Sequence, residues 1–230
     1  MQTRTAVLLG GSGLVGAQLL TLLAADASYS AIAALTRRPL GIATAKVREI
    51  VVDFEKPETL RPHVAVSDVF CCLGTTIKKA GSQAAFRKVD FDAPMAVARE
   101  SRAAGASRFI LVTAVGASVA SAIIYNQVKG EVEDALRALA FPGGVRIIRP
   151  SLLLGDRAES RPAERVAAAL MRATRPLFAG GLARYRAIEA GDVARAMLAA
   201  ARQDEGDEVY EGERLFALAR IERLNAADPS

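Results

Sequence analysis

Short apolar runs recur along this chain and are separated by longer stretches of helical character. The runs lack the strict apolar–polar alternation of strands that have one face in water, so they predict strands buried on both faces. In order they are TAVLLG (5–10), AIAALT (31–36), VREIVVDF (47–54), VSDVFCCLG (66–74), SRFILVTAVG (107–116) and VRIIRP (145–150). Strands of this kind indicate a parallel sheet that carries helices on both faces.

Helical stretches follow several of these strands and give the chain a repeating βα order. GLVGAQLLTLLAAD (13–26) follows the first strand, QAAFRKVDFDAPMAVARESRAAG (83–105) the fourth, and residues 125–140 the fifth. Gly105 is a natural stop for the helix that precedes it. The predicted fold class is therefore α/β, with a doubly wound parallel sheet.

The chain after Pro150 is less regular. Three stretches there predict helices: SRPAERVAAALMRAT (160–174), GDVARAMLAAARQ (191–203) and GERLFALARIERL (212–224). We expect a single domain over residues 1–230, in which residues 151–230 contribute a small C-terminal helical cap that depends on the sheet.

Composition excludes several classes of site. The chain has 230 residues, of which 51% are hydrophobic, so it can bury a core without disulfides or metals. Its two cysteines, Cys71 and Cys72, are neighbours in an apolar run and do not form a disulfide framework. The single histidine, His63, makes a histidine metal cluster and a Ser–His–Asp triad poor expectations.

Sequence signals for export or membrane insertion bear on where the protein is located, and the charge pattern bears on its partners. The apolar N-terminus is interrupted by glycines and has no credible cleavage site, and no stretch reaches the ~20 apolar residues of a membrane span. We therefore expect a cytoplasmic protein without membrane contact. The net charge of +5 comes from arginines interspersed with acids, which favours a solvated surface over a nucleic-acid patch. Helices that cover the sheet also allow a homodimer.

A glycine-rich turn follows the first strand and opens the first helix. It reads Gly10-Gly11-Ser12-Gly13-Leu14-Val15-Gly16, with glycines at every third position. Gly10 permits a tight turn, Gly13 lets the backbone approach a pyrophosphate, and Gly16 lets helix and strand pack closely. Amides at the start of the helix then hold the negative charge. The motif predicts dinucleotide binding, with contacts from Ser12, Leu14 and Val15 as well as the glycines.

The end of the second strand indicates which dinucleotide binds. An acidic residue there would favour NAD, whereas this chain has Thr36-Arg37-Arg38. Two guanidiniums are suited to the 2′-phosphate of NADP, although NAD is not excluded, and a solvated turn is the alternative interpretation. Asp53 and Phe54 close the third strand, where the aspartate is placed to hydrogen-bond the adenine amino group. An ordinary strand-end aspartate explains that position nearly as well.

Tyr125 precedes Lys129 by four residues, so the two side chains share one face of the predicted helix. An ammonium near a phenol favours the phenolate, and this lets tyrosine exchange protons near neutral pH. The same ammonium is suited to hydrogen-bond the ribose of a nicotinamide nucleoside. With the glycine turn upstream, the pair predicts carbonyl–alcohol interconversion by proton and hydride transfer. The alternative is a tyrosine packed against a lysine stem.

Four strings carry a family resemblance: LLGGSGLVG (8–16), CLGTTIKKAGSQAAFRKVD (72–90), YNQVKGEVE (125–133) and IIRPSLLLGDRAESRP (147–162). Together they resemble the short-chain dehydrogenases/reductases of the extended or atypical kind, in particular the Tat-interacting-protein-like oxidoreductases, over nearly the whole length. The resemblance implies a Rossmann sheet. It also implies that Leu73, Gly74 and Thr75 cover the cofactor's ribose and that the segment Arg149-Pro150-Ser151 faces the nicotinamide.

The chain departs from that family at one position. The resemblance implies a serine at the end of strand five that polarises the substrate carbonyl, where this chain has LVTAVGAS (111–118). Thr113 offers a hydroxyl of similar reach, while Ala114 offers none. Ser118 and Ser121 are alternatives, and a purely structural Thr113 is an equal possibility.

These observations favour an NADP-dependent oxidoreductase that acts on a small carbonyl or alcohol. The principal alternative is an NADPH-binding regulatory or interaction protein with little turnover, which the missing serine supports. A sugar-nucleotide epimerase or dehydratase is less favoured, because the chain after the sixth strand is short for a substrate domain of that kind. Fold alone does not decide among these functions.

Overall fold

The computed structural model describes residues 3–154 and 185–227. Its centre is a sheet of seven parallel strands in the order β3-β2-β1-β4-β5-β6-β9, and β7 and β8 form a separate parallel pair. The strands are β1 (Arg4–Leu9), β2 (Tyr29–Thr36), β3 (Val47–Val51), β4 (Asp68–Cys71), β5 (Arg108–Val112), β6 (Val145–Arg149), β7 (Leu153–Leu154), β8 (Ile188–Glu189) and β9 (Glu208–Glu211). The predicted doubly wound α/β fold is confirmed.

Helices cover both faces of this sheet. They are α1 (Leu14–Ala25), α2 (Pro57–Leu60), α3 (Ile77–Ala80), α4 (Gln83–Arg87), α5 (Ala93–Ala103), α6 (Ile124–Arg137), α7 (Ala190–Ala200) and α8 (Gly212–Ala227), with a 3₁₀ turn at Arg61–His63. Within the described residues, no helix has the length and apolarity needed to cross a bilayer.

Two apolar cores lie on opposite faces of the sheet. Successive side chains of a strand point to opposite faces, so Leu8 of β1 belongs to one core and Leu9 to the other. The first core contains side chains of α1, α7 and α8, and the second contains side chains of α2, α5 and α6. The apolar runs are continuous because both faces of the strands are buried.

The long helix predicted over residues 83–105 is interrupted. Between α4 and α5 the chain makes a π-helical turn at Lys88–Asp92. Pro94, in the first turn of α5, has no N–H to donate to Asp90, and its ring would clash with that carbonyl in a regular helix. The wider turn avoids this clash, and Asp90 lies within it.

The C-terminal part of the chain joins the main layers. β9 pairs in parallel with β6, and α7 packs on the same face of the sheet as α1. The helices predicted at 191–203 and 212–224 are therefore present but lie on the sheet, and β9 was not predicted. The helix predicted at 160–174 lies outside the described residues. A cap that includes it stays a prediction.

The strand order reverses between β1 and β4. The loops after these two strands leave in opposite directions at the carboxyl edge of the sheet, and this opens a crevice there. The glycine turn follows β1 and the segment from Cys72 to Thr75 follows β4, so the fold brings the two candidate cofactor loops to the same edge.

Candidate functional site

The glycine turn is shaped for close backbone contact. Gly10 has a φ of +79°, and a Cβ there would lie 2.7 Å from the carbonyl carbon of Cys72. A Cβ on Gly16 would lie 2.1 Å from the Gly10 carbonyl oxygen. Both positions therefore exclude a side chain, as expected for the first and last glycines of the predicted motif.

The start of α1 is left available for an anion. Its N-cap, Gly13, provides no side-chain hydrogen bond, and the first turn contains no acidic residue. The amides of a first helical turn have no partner inside the helix, and the helix dipole favours negative charge near them. Leu14 and Val15 contribute this backbone, while the Val15 side chain is buried in the core. The turn thus fits the pyrophosphate of a dinucleotide.

A cavity of about 390 Å³ extends from the glycine turn across the ends of β1 and β2. Its lining comes from four separate segments of the chain. The segment that contains Leu40 is held by Glu49 of β3, whose carboxylate accepts hydrogen bonds from the amides of residues 40–42. The lining comprises Gly10, Gly11, Ser12, Leu35, Thr36, Arg37, Arg38, Leu40, Phe54 and Leu73. The volume and the mixture of apolar and cationic groups suit the adenosine half of a dinucleotide.

Arg37 and Arg38 are exposed at the edge of this cavity. Among the described residues neither guanidinium has an acidic partner, which leaves both available to a phosphate. Asp53, in contrast, is absent from the lining. Its Oδ1 accepts a hydrogen bond of 3.0 Å from the Glu55 amide, and Lys56 lies 3.7 Å away. A contact of Asp53 with adenine stays a prediction, while its observed contacts are those of a turn.

The second half of the crevice contains Lys129 of α6 beside the loop after β4. Its Nζ lies 2.7 Å from Oδ1 of Asp90, and the other carboxylate oxygen accepts a 3.0 Å hydrogen bond from the Thr75 amide. A Cβ placed on Gly74 would be 3.7 Å from the same Nζ. The lysine and the loop predicted to cover the ribose are thus direct neighbours.

Asp90 is a residue of the candidate site that the sequence reasoning missed. Burial raises the pKa of its carboxyl group, although Lys129 and the Thr75 amide oppose this effect. Oδ1 has no hydrogen-bond donor in good alignment, so its contact with Lys129 is an ion pair set by charge and distance. The available signal in the sequence was Pro94, four residues later, because it forces the π-helical turn that carries Asp90.

Tyr125 lies in the first turn of α6 and is half-buried. Its ring stacks on Phe86, with 5.4 Å between centroids and 29° between planes, and Lys129 Nζ lies 5.9 Å from the tyrosine centroid. The phenol therefore shares the lysine's face of the helix, and Phe86 restricts the ring. This arrangement can exchange a proton with a ligand beside an ammonium.

Thr113 lies one residue beyond β5 and is buried. Its hydroxyl donates a 2.7 Å hydrogen bond to Oε1 of Glu133, which also accepts from Nε of Arg149 at 3.0 Å. A hydroxyl has a single proton, so Thr113 has to turn away from Glu133 before it donates to a carbonyl. Its predicted polarising role stays untested.

The two alternative serines make different contacts. Oγ of Ser118 accepts from the Ala120 amide at 3.3 Å, and Oγ of Ser121 accepts from the Ile123 amide at 3.1 Å. Each hydroxyl acts there as an acceptor, which leaves its proton available to a ligand. Ser121 also precedes Tyr125 by only four residues.

The segment after β6 is held against the loop after β5. The carbonyl of Pro150 accepts from the Val115 amide at 3.0 Å, and the hydroxyl of Ser151 donates to the Arg186 carbonyl. Pro150 is buried and therefore presents little surface of its own. Its contact with the nicotinamide stays a prediction.

Comparison with known proteins gives a consistent family match. Residues 10–204 match the model of a family described as NAD(P)H-binding. The chain is 38% identical to Protein HTATIP2 of Rattus norvegicus over 86% of this chain and 81% of that protein. It is 34% identical to Protein FMP52-1, mitochondrial, of Scheffersomyces stipitis, over 68% of this chain and 70% of that one.

Solved structures show the same fold at low sequence identity. MoeE5 in complex with UDP-glucose and NAD is 18% identical, with a TM-score of 0.65, 94% of this chain covered and 81% of that chain. The UDP-glucose 4-epimerase of Thermotoga maritima with UDP-glucose is 15% identical, with a TM-score of 0.67 and coverages of 94% and 82%. At this identity the likeness shows the fold alone.

The names of the relatives correct one expectation. The FMP52 relatives of Scheffersomyces stipitis, Emericella nidulans, Debaryomyces hansenii and Eremothecium gossypii are called mitochondrial, which contradicts the predicted cytoplasmic location. The expectation rested on the lack of a secretory signal and of a membrane span. Neither property separates the cytoplasm from other compartments that hold water-soluble enzymes.

Proposed function

The chain belongs to the NAD(P)H-binding family, and on that premise we propose that it is an NADP-dependent oxidoreductase that interconverts a small carbonyl compound and its alcohol. One observation carries the proposal: Tyr125 and Lys129 share a face of α6, 5.9 Å apart from ring centroid to ammonium, beside the loop after β4. A protein that only binds a dinucleotide has no need of a phenol and an ammonium in this arrangement.

Each side chain has a separate task in the proposed reaction. Bound NADPH supplies the hydride. Tyr125 donates its phenolic proton to the carbonyl oxygen during reduction and recovers a proton in the opposite direction. Lys129 stabilises the phenolate by its charge and binds the ribose hydroxyls. Thr113, Ser118 or Ser121 donates a hydrogen bond that polarises the carbonyl.

The preference for NADP over NAD rests on Arg37 and Arg38. Both guanidiniums stand at the rim of the adenosine cavity without an acidic partner among the described residues. A 2′-phosphate offers them negatively charged acceptor oxygens, whereas the 2′-hydroxyl of NAD is a neutral acceptor. Glu49 is the nearby acid on β3, and its carboxylate is already occupied by backbone amides.

A second candidate is an NADPH-binding regulatory protein with little turnover. The hydrogen bond from Thr113 to Glu133 favours it, because the hydroxyl nearest to the family's serine position is engaged elsewhere. Sugar-nucleotide chemistry has less support, since the structural relatives that bind UDP-sugars share only the fold with this chain.

We also propose that the protein forms a homodimer through the outer face of α8. Ile221 and Leu224 lie three residues apart on that helix, with exposures of 46% and 64%. Residues at this spacing share a helix face, and paired exposed apolar side chains gain free energy when a second copy covers them.

The test of the enzymatic proposal is Tyr125→Phe assayed by NADPH oxidation with a panel of small aldehydes and ketones. Loss of the phenolic proton is expected to lower turnover by about 100-fold or more, while the dissociation constant of NADPH stays nearly unchanged. Tyr210→Phe, in β9, is the matched control. Equal turnover in the Tyr125 variant and wild type refutes the proposal, and NADPH binding without oxidation of any panel member by the wild type favours the regulatory function.

A further inference from the structure

Asp90 bridges two parts of the cofactor crevice that are far apart in the sequence. One carboxylate oxygen lies 2.7 Å from Nζ of Lys129 on α6, and the other accepts a 3.0 Å hydrogen bond from the Thr75 amide in the loop after β4. Asp90 is 1% exposed and Lys129 is 3% exposed. The contact is therefore shielded from water and from salt.

A carboxylate is the group that this position requires. One of its oxygens accepts from the Thr75 amide while the other forms the ion pair with the Lys129 ammonium, whereas the amide of asparagine has one acceptor oxygen and no charge. Burial raises the pKa of Asp90, and the contacts with Lys129 and the Thr75 amide oppose that rise by favouring the ionised form. A buried ion pair of this kind is weak evidence for a contribution to stability. Its more direct effect is to hold the Lys129 ammonium in place.

The other charged groups near the pair have partners of their own. On α6, Glu133 accepts from Arg149 and Thr113, and Glu131 pairs with Arg87. On the π-helical turn, Lys88 pairs with Glu55 and Asp92 is exposed. On β4, burial raises the pKa of the Cys71 thiol to about 12. Within the described residues, Asp90 is thus the counter-charge of Lys129.

We propose that Asp90 is a positioning residue that couples Lys129 to the Leu73–Thr75 loop, so that ammonium and loop present one preformed surface to the nicotinamide ribose. This inference rests on the proposed function, in which Lys129 contacts that ribose. Of these groups only Leu73 also lines the adenosine half of the crevice; Asp90, Lys129 and Thr75 are not among its lining residues.

The inference can be tested with two ligands, one that fills the whole crevice and one that fills only its adenosine half. We would measure the dissociation constants of NADPH and of 2′,5′-ADP, which fills only the adenosine half, for wild type, Asp90→Asn, Lys129→Met and Asp92→Asn. A misplaced charged hydrogen bond to the ribose is expected to weaken NADPH binding by about tenfold in Asp90→Asn. Binding of 2′,5′-ADP is expected to stay within about twofold, because neither Asp90 nor Lys129 lines the adenosine half. Asp92→Asn, on the same turn, is expected to match wild type for both ligands.

Each outcome decides the inference. Selective loss of NADPH affinity in both Asp90→Asn and Lys129→Met supports it. The same loss in Lys129→Met alone overturns the role of Asp90 and leaves the proposed function intact, and loss in neither variant overturns both. If Asp90→Asn fails to fold, Asp90→Glu keeps the charge but displaces it by one methylene, and the selective loss is expected there too. Equal weakening of NADPH and 2′,5′-ADP in that variant refutes a positioning role.

Discussion

Glu133 of α6 contacts Thr113, after β5, and Arg149 of β6, and replacing it by glutamine is a sensitive test of the structure. The side chain is 1% exposed, accepts the Thr113 hydroxyl at 2.7 Å and accepts Nε of Arg149 at 3.0 Å. The ion pair raises the pKa of the Arg149 guanidinium. Glutamine keeps the shape and one acceptor oxygen, but its amide nitrogen is a hydrogen-bond donor and would face a donor of Arg149 or Thr113.

The expected loss of stability follows from burial. Removing one partner of a buried ion pair costs about 3–5 kcal/mol, because the other charge remains without compensation. Arg149 is 21% exposed at its side chain and lies 3.6 Å from Glu211, so part of its charge stays compensated. We therefore expect about 3 kcal/mol for Glu133→Gln, at the low end of that range. For a chain of this size that corresponds to a fall of about 6–12 °C in Tm.

The assay is urea unfolding followed by circular dichroism, with Glu131→Gln as the matched control. Glu131 is two residues away on the same helix and pairs with Arg87, but both side chains are substantially exposed, at 28% and 41%. Such a pair contributes about 1 kcal/mol or less. Equal losses in the two variants, or a loss below about 1 kcal/mol in Glu133→Gln, would refute the assignment of a buried charge network to this position.

Three further predictions concern the cofactor, the thiols and the assembly. NADPH is expected to bind more tightly than NADH by fluorescence titration, and the ratio is expected to shrink when Arg37 and Arg38 are both changed to Ala; equal affinities in the wild type contradict the arginine argument. Burial raises the pKa of Cys71 to about 12 and that of Cys72 well above its usual value. Only about one in ten thousand Cys71 thiols is therefore ionised at pH 8, so iodoacetamide is expected to modify both cysteines in urea and neither in the folded protein, as read by mass. Leu224→Glu is expected to convert the proposed dimer to a monomer in light scattering, and a wild-type monomer excludes the α8 interface.

The parts of the fold and site that could be predicted were encoded locally. The glycine turn occupies seven consecutive residues and its conformation follows from missing side chains, and Tyr125 and Lys129 are related by the helix period alone. The strands at the centre of the sheet were visible because burial on both faces leaves a continuous apolar run. The resemblance to the Tat-interacting-protein-like oxidoreductases, carried by strings of this kind, is confirmed by the match to Protein HTATIP2.

The parts that could not be predicted depend on partners distant in the sequence. Asp90 meets Lys129 across 39 residues, through a turn whose hydrogen bonding departs from the regular helix. Thr113 was considered for its hydroxyl, but its orientation is decided by Glu133, 20 residues later. The strand β9, EVYE, is short and mostly polar because it lies at the edge of the sheet, so no apolar run marked it.

The position of β9 has a consequence for any shortened form of the protein. A chain that stops before residue 208 would leave the backbone amides and carbonyls of β6 without neighbours along one side, and an open parallel strand recruits other polypeptides. The same cut would remove Glu211 from Arg149, which also pairs with Glu133 of α6. Self-association and weakening of the Arg149–Glu133 contacts would therefore arise together from a single truncation, although the removed residues include none of the predicted catalytic groups.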